Sequence, residues 1–130
     1  LICDDLQNIE LKPASVIVLN FTLQFIALDQ RPEILQKIYD ALLPGGVLIL
    51  SEKVAFDEAP HQDLMIELHH NFKRSNGYSD LEIAQKRSSL ENVLIPETLE
   101  AHRERMKRVG FQSSDVWFQC LNFASLIAIK

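Results

Sequence analysis

Residues 16–50 read VIVLNFTLQFIALDQRPEILQKIYDALLPGGVLIL, and they carry the clearest indication of fold class. The stretch opens with the aliphatic run Val16–Leu19 and closes with a second run, Val47–Leu50. Such runs are typical of strands that are buried on both faces of a parallel sheet. Between them, Pro32 stands at a favoured first-turn position, and helical spacing continues to Pro44-Gly45-Gly46, which predicts a helix of about three turns. The order strand, helix, strand indicates parallel neighbours in an α/β sheet.

The rest of the chain predicts more helices and a last pair of strands. Helical patterns cover Ala59–Asn76, Ser79–Leu90 and Pro96–Val109. Ser79 and Glu82 have the spacing of a capping box, and Gly110 suits the end of the last helix. Two β-rich runs, Asp115–Cys120 and Phe123–Ile129, predict a terminal antiparallel pair.

This succession resembles the second half of a doubly wound, Rossmann-like sheet whose last strands reverse direction. None of the four glycines belongs to a G-x-G motif, so the sequence contains no glycine-rich phosphate loop. We therefore expect residues 1–130 to be a fragment, the C-terminal part of a single α/β domain without its glycine-rich N-terminal half. Within it, residues 59–95 are expected to form a helical insertion.

Composition excludes several classes of protein. The chain has 130 residues, 47% of them apolar, and a net charge of -5, which disfavours a broad nucleic-acid surface. No apolar run reaches the ~18 residues of a membrane-spanning helix. Cys3 and Cys120 are too few for a disulfide framework and lack the paired spacing of a zinc site. We expect a cytoplasmic protein that binds neither nucleic acid directly nor a membrane.

Two candidate binding positions lie near the expected sheet edge. Asn20 follows a buried strand, at the edge where α/β sheets bind ligands, and its amide can both donate and accept hydrogen bonds. Alternatively, Asn20 only caps a turn. Asp5 lies in a polar loop, where its carboxylate could accept from an exocyclic amine or a ribose hydroxyl. An acidic surface loop is the simpler interpretation.

Basic residues flank a predicted turn between two helices. Lys73-Arg74 and Lys86-Arg87 bracket the turn at Gly77, which could bring both pairs to one end of the hairpin. Such a cluster suits a ligand that bears a carboxylate, because arginine can grip a carboxylate with two hydrogen bonds. A solvated basic face is the alternative.

Metal and nucleophile chemistry find little support. His69 and His70 are adjacent on a helix, so their side chains point about 100° apart and cannot both face one ion. Ser51 lacks a G-x-S-x-G context, and no histidine is near Cys120 in sequence. We therefore expect no metal site and assign no catalytic residue.

Several motifs resemble those of one enzyme family. The run LLPGG at 42–46 is similar to the segment before the fifth strand of class I S-adenosylmethionine-dependent methyltransferases. More specific motifs, which together span essentially the whole chain, are NFTLQF at 20–25, LSEK at 50–53, FKRSNGYS at 72–79, QKRS at 85–88, LEN at 90–92, WFQC at 117–120 and NF at 122–123. Together they resemble the carboxy-S-adenosyl-L-methionine synthase family.

The resemblance implies a methyltransferase-like fold that converts S-adenosylmethionine and prephenate into carboxy-S-adenosylmethionine and phenylpyruvate. In this family, a partner enzyme uses the product to modify the wobble uridine of tRNA. The resemblance also implies that Asp5 and Leu6 contact the adenine region, that Asn20 contacts S-adenosylmethionine, and that Arg87 pairs with the added carboxylate.

The long helical segment Ala59–Asn92 carries apolar residues that a small sheet would not cover, so we predict a homodimer in which it contributes to the interface. Two other functions stay open. The chain could be a truncated, non-catalytic binding or dimerisation module, or part of an ordinary methyltransferase that acts on small molecules.

Overall fold

The structure, a computed structural model, describes residues 2–91 and 93–130. Asn92, which ends the LEN motif and the segment predicted to dimerise, lies outside the described residues, as does Leu1. The strands are β1 (Ala14–Asn20), β2 (Leu42–Lys53), β3 (Ser113–Cys120) and β4 (Phe123–Ile129). The helices are α1 (Arg31–Ala41), α2 (Ala59–Ser75), α3 (Asp80–Leu90) and α4 (Leu99–Val109), with a 3-10 turn at Leu23–Phe25.

The strands form one mixed sheet in the order β1-β2-β4-β3. β1 and β2 are parallel, with Asn20 opposite Ser51, whereas β4 runs antiparallel to both β2 and β3. Lys53, at the end of β2, pairs with Phe123, at the start of β4. The predicted α/β sheet with two parallel strands and a terminal antiparallel pair is confirmed.

The boundary between α1 and β2 differs from the prediction. Pro44-Gly45-Gly46 does not end the helix but belongs to β2, which begins at Leu42. Leu42 pairs with Ala14, and the register between β1 and β2 then shifts before Val16. A Cβ atom on Gly46 would lie 2.7 Å from the carbonyl oxygen of Leu43, so this irregular start of the strand requires glycine.

The start of α4 also differs. The helix begins at Leu99, because the side chain of Thr98 caps it by accepting a hydrogen bond from the backbone N–H of Ala101 at 3.2 Å. The predicted first residues, Pro96 and Glu97, lie outside the helix, and Glu97 instead forms an isolated β-bridge with Val54. Gly110 ends the helix in the left-handed conformation, as predicted, with φ 118°.

The hydrophobic core lies on the face of the sheet that α1 and α4 cover. Its fully buried members include Leu35 and Ile38 of α1, Leu48 and Leu50 of β2, and Met106 of α4. The opposite face of β1 is open in the described part of the chain: Val16 is 54% exposed and Val18 57%. β1 is also an edge strand of the described sheet.

Candidate functional site

A cavity of about 680 Å³ opens at the ends of the two parallel strands. Phe21, which follows β1, and Lys53, which ends β2, form its floor with Phe123. The facing walls come from α2 and α3. The cavity therefore lies at the carboxyl edge of the parallel strands, where open α/β sheets bind ligands.

Each of the two helices presents one face to this cavity. The lining residues recur at helical spacing: Gln62, Ile66, His69, His70 and Lys73 of α2, and Ile83, Lys86, Arg87 and Leu90 of α3. The predicted capping box fixes the start of α3, because Ser79 N–H donates to Glu82 Oε2 at 2.8 Å and Glu82 N–H donates to Ser79 Oγ at 3.3 Å. The turn thus brings Lys73, Lys86 and Arg87 to one cavity, as the sequence analysis anticipates.

Arg74 is the exception among the predicted basic residues. Its Nε donates to Asp80 at 2.7 Å, and it does not line the cavity. The adjacent Lys73 faces the cavity because it continues the stripe of His69 and His70 along α2, whereas Arg74 is rotated by about 100° from it.

The charges of the cavity are strongly unbalanced. Lys53, Lys73, Lys86 and Arg87 line it together with one carboxylate, that of Glu91. Within residues 2–91 and 93–130, none of the four cations forms an ion pair. Burial lowers the pKa of Lys53, and the nearby charges of Lys73 and Arg87 lower it further. An anionic ligand would relieve this mutual repulsion.

An aromatic wall adjoins the cationic residues. The rings of Phe21 and Phe123 meet edge to face at 5.8 Å, and the ring of His69 meets Phe123 in the same way at 4.9 Å. Burial lowers the pKa of His69 to about 4, with further lowering from Lys73 and Lys53, so its ring is neutral at pH 7. The cavity therefore offers an apolar, aromatic surface beside a set of positive charges.

Glu52 holds the segment that carries Phe21 and Phe25. This glutamate is fully buried, and its carboxylate accepts hydrogen bonds from the backbone N–H groups of Thr22 at 3.2 Å, Leu23 at 2.8 Å and Gln24 at 3.1 Å. Burial raises its pKa although these bonds oppose the shift. Sequence reasoning missed this role. The sequence did contain one indication of it: Glu52 continues the alternation of Leu48 and Leu50, so it occupies a position of β2 that is expected to be buried.

A second cavity, of about 490 Å³, is lined by Asp5 and Leu6. Lys37 fixes this loop, since its Nζ donates to the carbonyl oxygen of Leu6 at 3.1 Å. The carboxylate of Asp5 makes no hydrogen bond to the described residues. Phe21 and Phe25 line both cavities, so one extended ligand can reach from Asp5 and Leu6 to the cationic cavity.

Asn20 lines neither cavity. It is exposed at the carboxyl end of β1, next to Phe21, and its carbonyl oxygen accepts from Thr22 Oγ1 at 3.1 Å. Its amide side chain has no hydrogen-bond partner in the described part of the chain. The structure thus places Asp5 and Leu6 in one cavity and Arg87 in the neighbouring one. Asn20 lies beside Phe21, which lines both cavities. The ligand contacts of these residues stay predictions.

The residues considered for metal or nucleophile chemistry have other surroundings. Among the described residues, no group of three or more His, Cys, Asp or Glu side chains could hold a metal ion, and the rings of His69 and His70 are 6.2 Å apart. Ser51 Oγ lies 2.9 Å from Ser125 Oγ, and Cys120 is exposed. No helix in the described part is long and apolar enough to cross a lipid bilayer.

The fold matches that of class I methyltransferases. Human N-acetylserotonin methyltransferase, solved with S-adenosylmethionine, aligns with 98% of this chain at a TM-score of 0.65 and 16% identity, over 32% of its own length. An O-methyltransferase family 2 protein from Planctomyces limnophilus aligns with 98% of the chain at a TM-score of 0.66 and 19% identity, over 33% of its own. The chain therefore has part of a Rossmann-like methyltransferase fold.

Sequence comparison identifies the family within this class. A carboxy-S-adenosyl-L-methionine synthase from Cellvibrio japonicus is 68% identical over 96% of the chain and 51% of its own length. A protein of the same name from Trichlorobacter lovleyi is 62% identical over 100% of the chain and 53% of its own length. No protein-family model matches the chain. The chain belongs to the carboxy-S-adenosyl-L-methionine synthase family and spans about half the length of the curated relatives it matches.

Proposed function

We propose that the protein containing this chain carboxylates the methyl group of S-adenosylmethionine, with prephenate as the carboxyl donor. One observation carries the proposal. Four cations that form no ion pair with the described residues, Arg87 among them, converge on a cavity at the carboxyl edge of the parallel strands and face an aromatic wall. An ordinary methyltransferase binds one carboxylate of S-adenosylmethionine, that of its methionine moiety, and has no need for a cluster of four cations beside the positively charged sulfonium. A carboxylated product and a dicarboxylate donor both need it.

The proposed reaction balances without an oxidant or reductant. Prephenate loses its ring carboxylate as carbon dioxide and its ring hydroxyl as hydroxide, and becomes the aromatic phenylpyruvate. The hydroxide takes one proton from the sulfonium methyl, which gives water. The methyl carbon then bonds to the carbon dioxide, which gives carboxy-S-adenosylmethionine. The apolar wall of Phe21 and Phe123 supports this proposal, because exclusion of water protects the deprotonated methyl from reprotonation.

We assign the two ends of the nucleoside to the two cavities. The adenine region is assigned to the cavity lined by Asp5 and Leu6, where the carboxylate of Asp5 can accept from the exocyclic amine. Asn20 contacts the same ligand from the end of β1. Arg87 pairs with the carboxylate that the reaction adds, through a charge-assisted hydrogen bond. No residue is assigned as a catalytic acid or base, and no metal is part of the proposal.

The remaining assignments follow from the family and the surface. We place the chain in the C-terminal half of a single methyltransferase-like domain, with residues 59–95 as an insertion. A homodimer is supported by large apolar side chains that α2 and α3 leave exposed, among them Leu64, Phe72 and Leu81. We place the protein in the cytoplasm, with its product passed to tRNA modification and no direct contact with nucleic acid.

Incubation of the natural-length protein with both substrates tests this function. We expect S-adenosylmethionine and prephenate to yield a nucleoside that is heavier than S-adenosylmethionine by one carbon dioxide, together with an equal amount of phenylpyruvate. Mass spectrometry detects the first and ultraviolet absorbance the second. Formation of S-adenosylhomocysteine and a methylated acceptor would instead show ordinary methyl transfer. Absence of both products would favour a non-catalytic module.

A further inference from the structure

The cationic cavity holds more positive charge than one carboxylate can balance. Among the lining residues that the structure describes, one side chain is acidic, that of Glu91, and four are basic, those of Lys53, Lys73, Lys86 and Arg87. When Arg87 is paired with the carboxylate of the product, three lysines still share that one acid. The proposed function therefore leaves a part of this cluster without an assigned ligand.

Lys53 and Lys73 lie where the cationic and aromatic parts of the cavity meet. Lys53 is half-buried at the end of β2, directly opposite Phe123 in the sheet register. Lys73 is also half-buried, one helical turn beyond His69, whose ring contacts Phe123. The ammonium groups of both lysines make no hydrogen bond to the described residues.

Other acids near this position are occupied elsewhere. Glu52, the neighbour of Lys53 in the chain, points to the opposite face of β2 and binds backbone N–H groups. Glu82 is bound to Ser79 at the start of α3. The partners that Lys53 and Lys73 lack in this part of the chain must come from a bound anion or from solvent.

We propose that Lys53 and Lys73 form a second anion subsite, which holds the side-chain carboxylate of an aromatic or cyclohexadienyl keto acid while Phe21 and Phe123 face its ring. The subsite rests on the proposed function for the identity of that acid, prephenate. Prephenate carries one carboxylate on its ring and one on its pyruvyl side chain. Arg87 receives the ring carboxylate, which is transferred, and the lysine pair retains the pyruvyl carboxylate, which is not.

Because the two carboxylates of prephenate bind to different residues, the affinities of the two products should depend on different residues. Phenylpyruvate keeps only the pyruvyl carboxylate, so its affinity depends on Lys53 and Lys73 and not on Arg87. Of the two carboxylates of prephenate, carboxy-S-adenosylmethionine receives only the transferred one, which Arg87 binds. Its methionine carboxylate, which S-adenosylmethionine also carries, is not part of the lysine subsite, so the affinity of carboxy-S-adenosylmethionine depends on Arg87 and not on the lysines. A loss of one charge-assisted hydrogen bond weakens the affected ligand by about 10-fold.

Calorimetric titration of the natural-length protein tests the subsite without turnover. Phenylpyruvate is titrated into protein saturated with S-adenosylhomocysteine, and carboxy-S-adenosylmethionine into the free protein. We expect Lys53→Met and Lys73→Met each to weaken phenylpyruvate by about 10-fold and to change carboxy-S-adenosylmethionine by less than about 2-fold. Lys53→Arg, which keeps the charge, should retain most of the affinity. Lys107→Met, on the exposed side of α4, is the matched control and should change neither ligand.

The outcomes separate the subsite from the proposed function. Unchanged phenylpyruvate affinity in both methionine variants would overturn the subsite, even when the protein makes carboxy-S-adenosylmethionine. Equal weakening of both ligands would also overturn it, because the lysines would then support the fold or bind the methionine carboxylate of the nucleoside. A protein that makes no carboxy-S-adenosylmethionine but binds phenylpyruvate through Lys53 and Lys73 would refute the function and keep the keto-acid subsite.

Discussion

Glu97 is the residue whose replacement tests most sharply how the cavity wall is held. Its carboxylate accepts from both Arg31 and Arg105, and the three side chains are 14%, 0% and 13% exposed. Arg31 also donates to the carbonyl oxygens of Ile26 at 2.9 Å and Ile95 at 2.8 Å. This network joins α1 to the segment before α4, next to Leu94 and Pro96 of the cavity lining.

Removing one partner of a buried ion pair costs about 3–5 kcal/mol, because a buried charge is left uncompensated. In Glu97→Gln, Arg31 keeps its three carbonyl acceptors, which are those of Ile26, Ile95 and, at 3.3 Å, Gln24. The new amide oxygen can accept one of the lost bonds. We therefore expect the lower end, a loss of about 3 kcal/mol in the free energy of unfolding at pH 7. Glu104→Gln breaks the exposed pair with Arg108 and should cost less than about 1 kcal/mol.

The effect of Glu97→Gln also has a defined pH dependence. Burial raises the pKa of Glu97, but the hydrogen bonds from Arg105 and Arg31 outweigh burial, so the pKa lies below its usual value of 4.5. The stabilisation is therefore complete above pH 4.5 and is lost as the pH falls through the lower pKa of the folded state. Urea denaturation of the wild-type protein and of Glu97→Gln across this pH range measures the difference between their free energies of unfolding. A difference in the free energy of unfolding of less than about 1 kcal/mol at pH 7 would refute the reasoning. A difference that stays constant as the pH falls would refute it too.

Two further predictions concern stability. His102 is 1% exposed, and neither of its ring nitrogens has a hydrogen-bond partner among the described residues. Burial lowers its pKa to about 4. Between pH 6.5 and pH 4, His102 therefore takes up a proton in the unfolded chain and not in the folded one. The free energy of unfolding should fall by up to about 3 kcal/mol over this range through His102 alone. His102→Phe should remove that part of the decline in urea denaturation. Ser79→Ala removes the capping box of α3 and should cost about 1 kcal/mol, which hydrogen exchange of α3 amides measures.

The parts of the fold that follow from local pattern could be predicted. Val16–Leu19 of β1 and Val47–Leu50 of β2 are continuous aliphatic runs, and α3 begins at a capping box that Ser79 and Glu82 specify. The first half of β2 could not be predicted from the sequence, because a Pro-Gly-Gly run such as 44–46 normally ends a helix. Here the pairing of Leu42 with Ala14 overrides that preference.

The candidate site also has a part that could be predicted from local sequence and a part that could not. The cationic faces of α2 and α3 follow from helical spacing, so Lys73, Lys86 and Arg87 could be grouped in advance. The contacts of Glu52 with the 3-10 turn and of Arg31 with Glu97 join residues 29 and 66 positions apart in the chain. No local pattern specifies such pairs, because they depend on how the strands and loops are brought together.

The most direct test of the central claim, that this cavity selects a carboxylated nucleoside through Arg87, is calorimetric comparison of two ligands. Carboxy-S-adenosylmethionine and S-adenosylhomocysteine are titrated into the natural-length protein and its Arg87→Ala and Arg87→Lys variants. A charge-assisted pair is worth about 1.5–3 kcal/mol, and Arg87 is open to water in the free chain, so we predict the lower end. Arg87→Ala should weaken carboxy-S-adenosylmethionine by about 10-fold and S-adenosylhomocysteine far less, with partial recovery in Arg87→Lys, which lacks the planar fork. Equal losses for both ligands would contradict the claim.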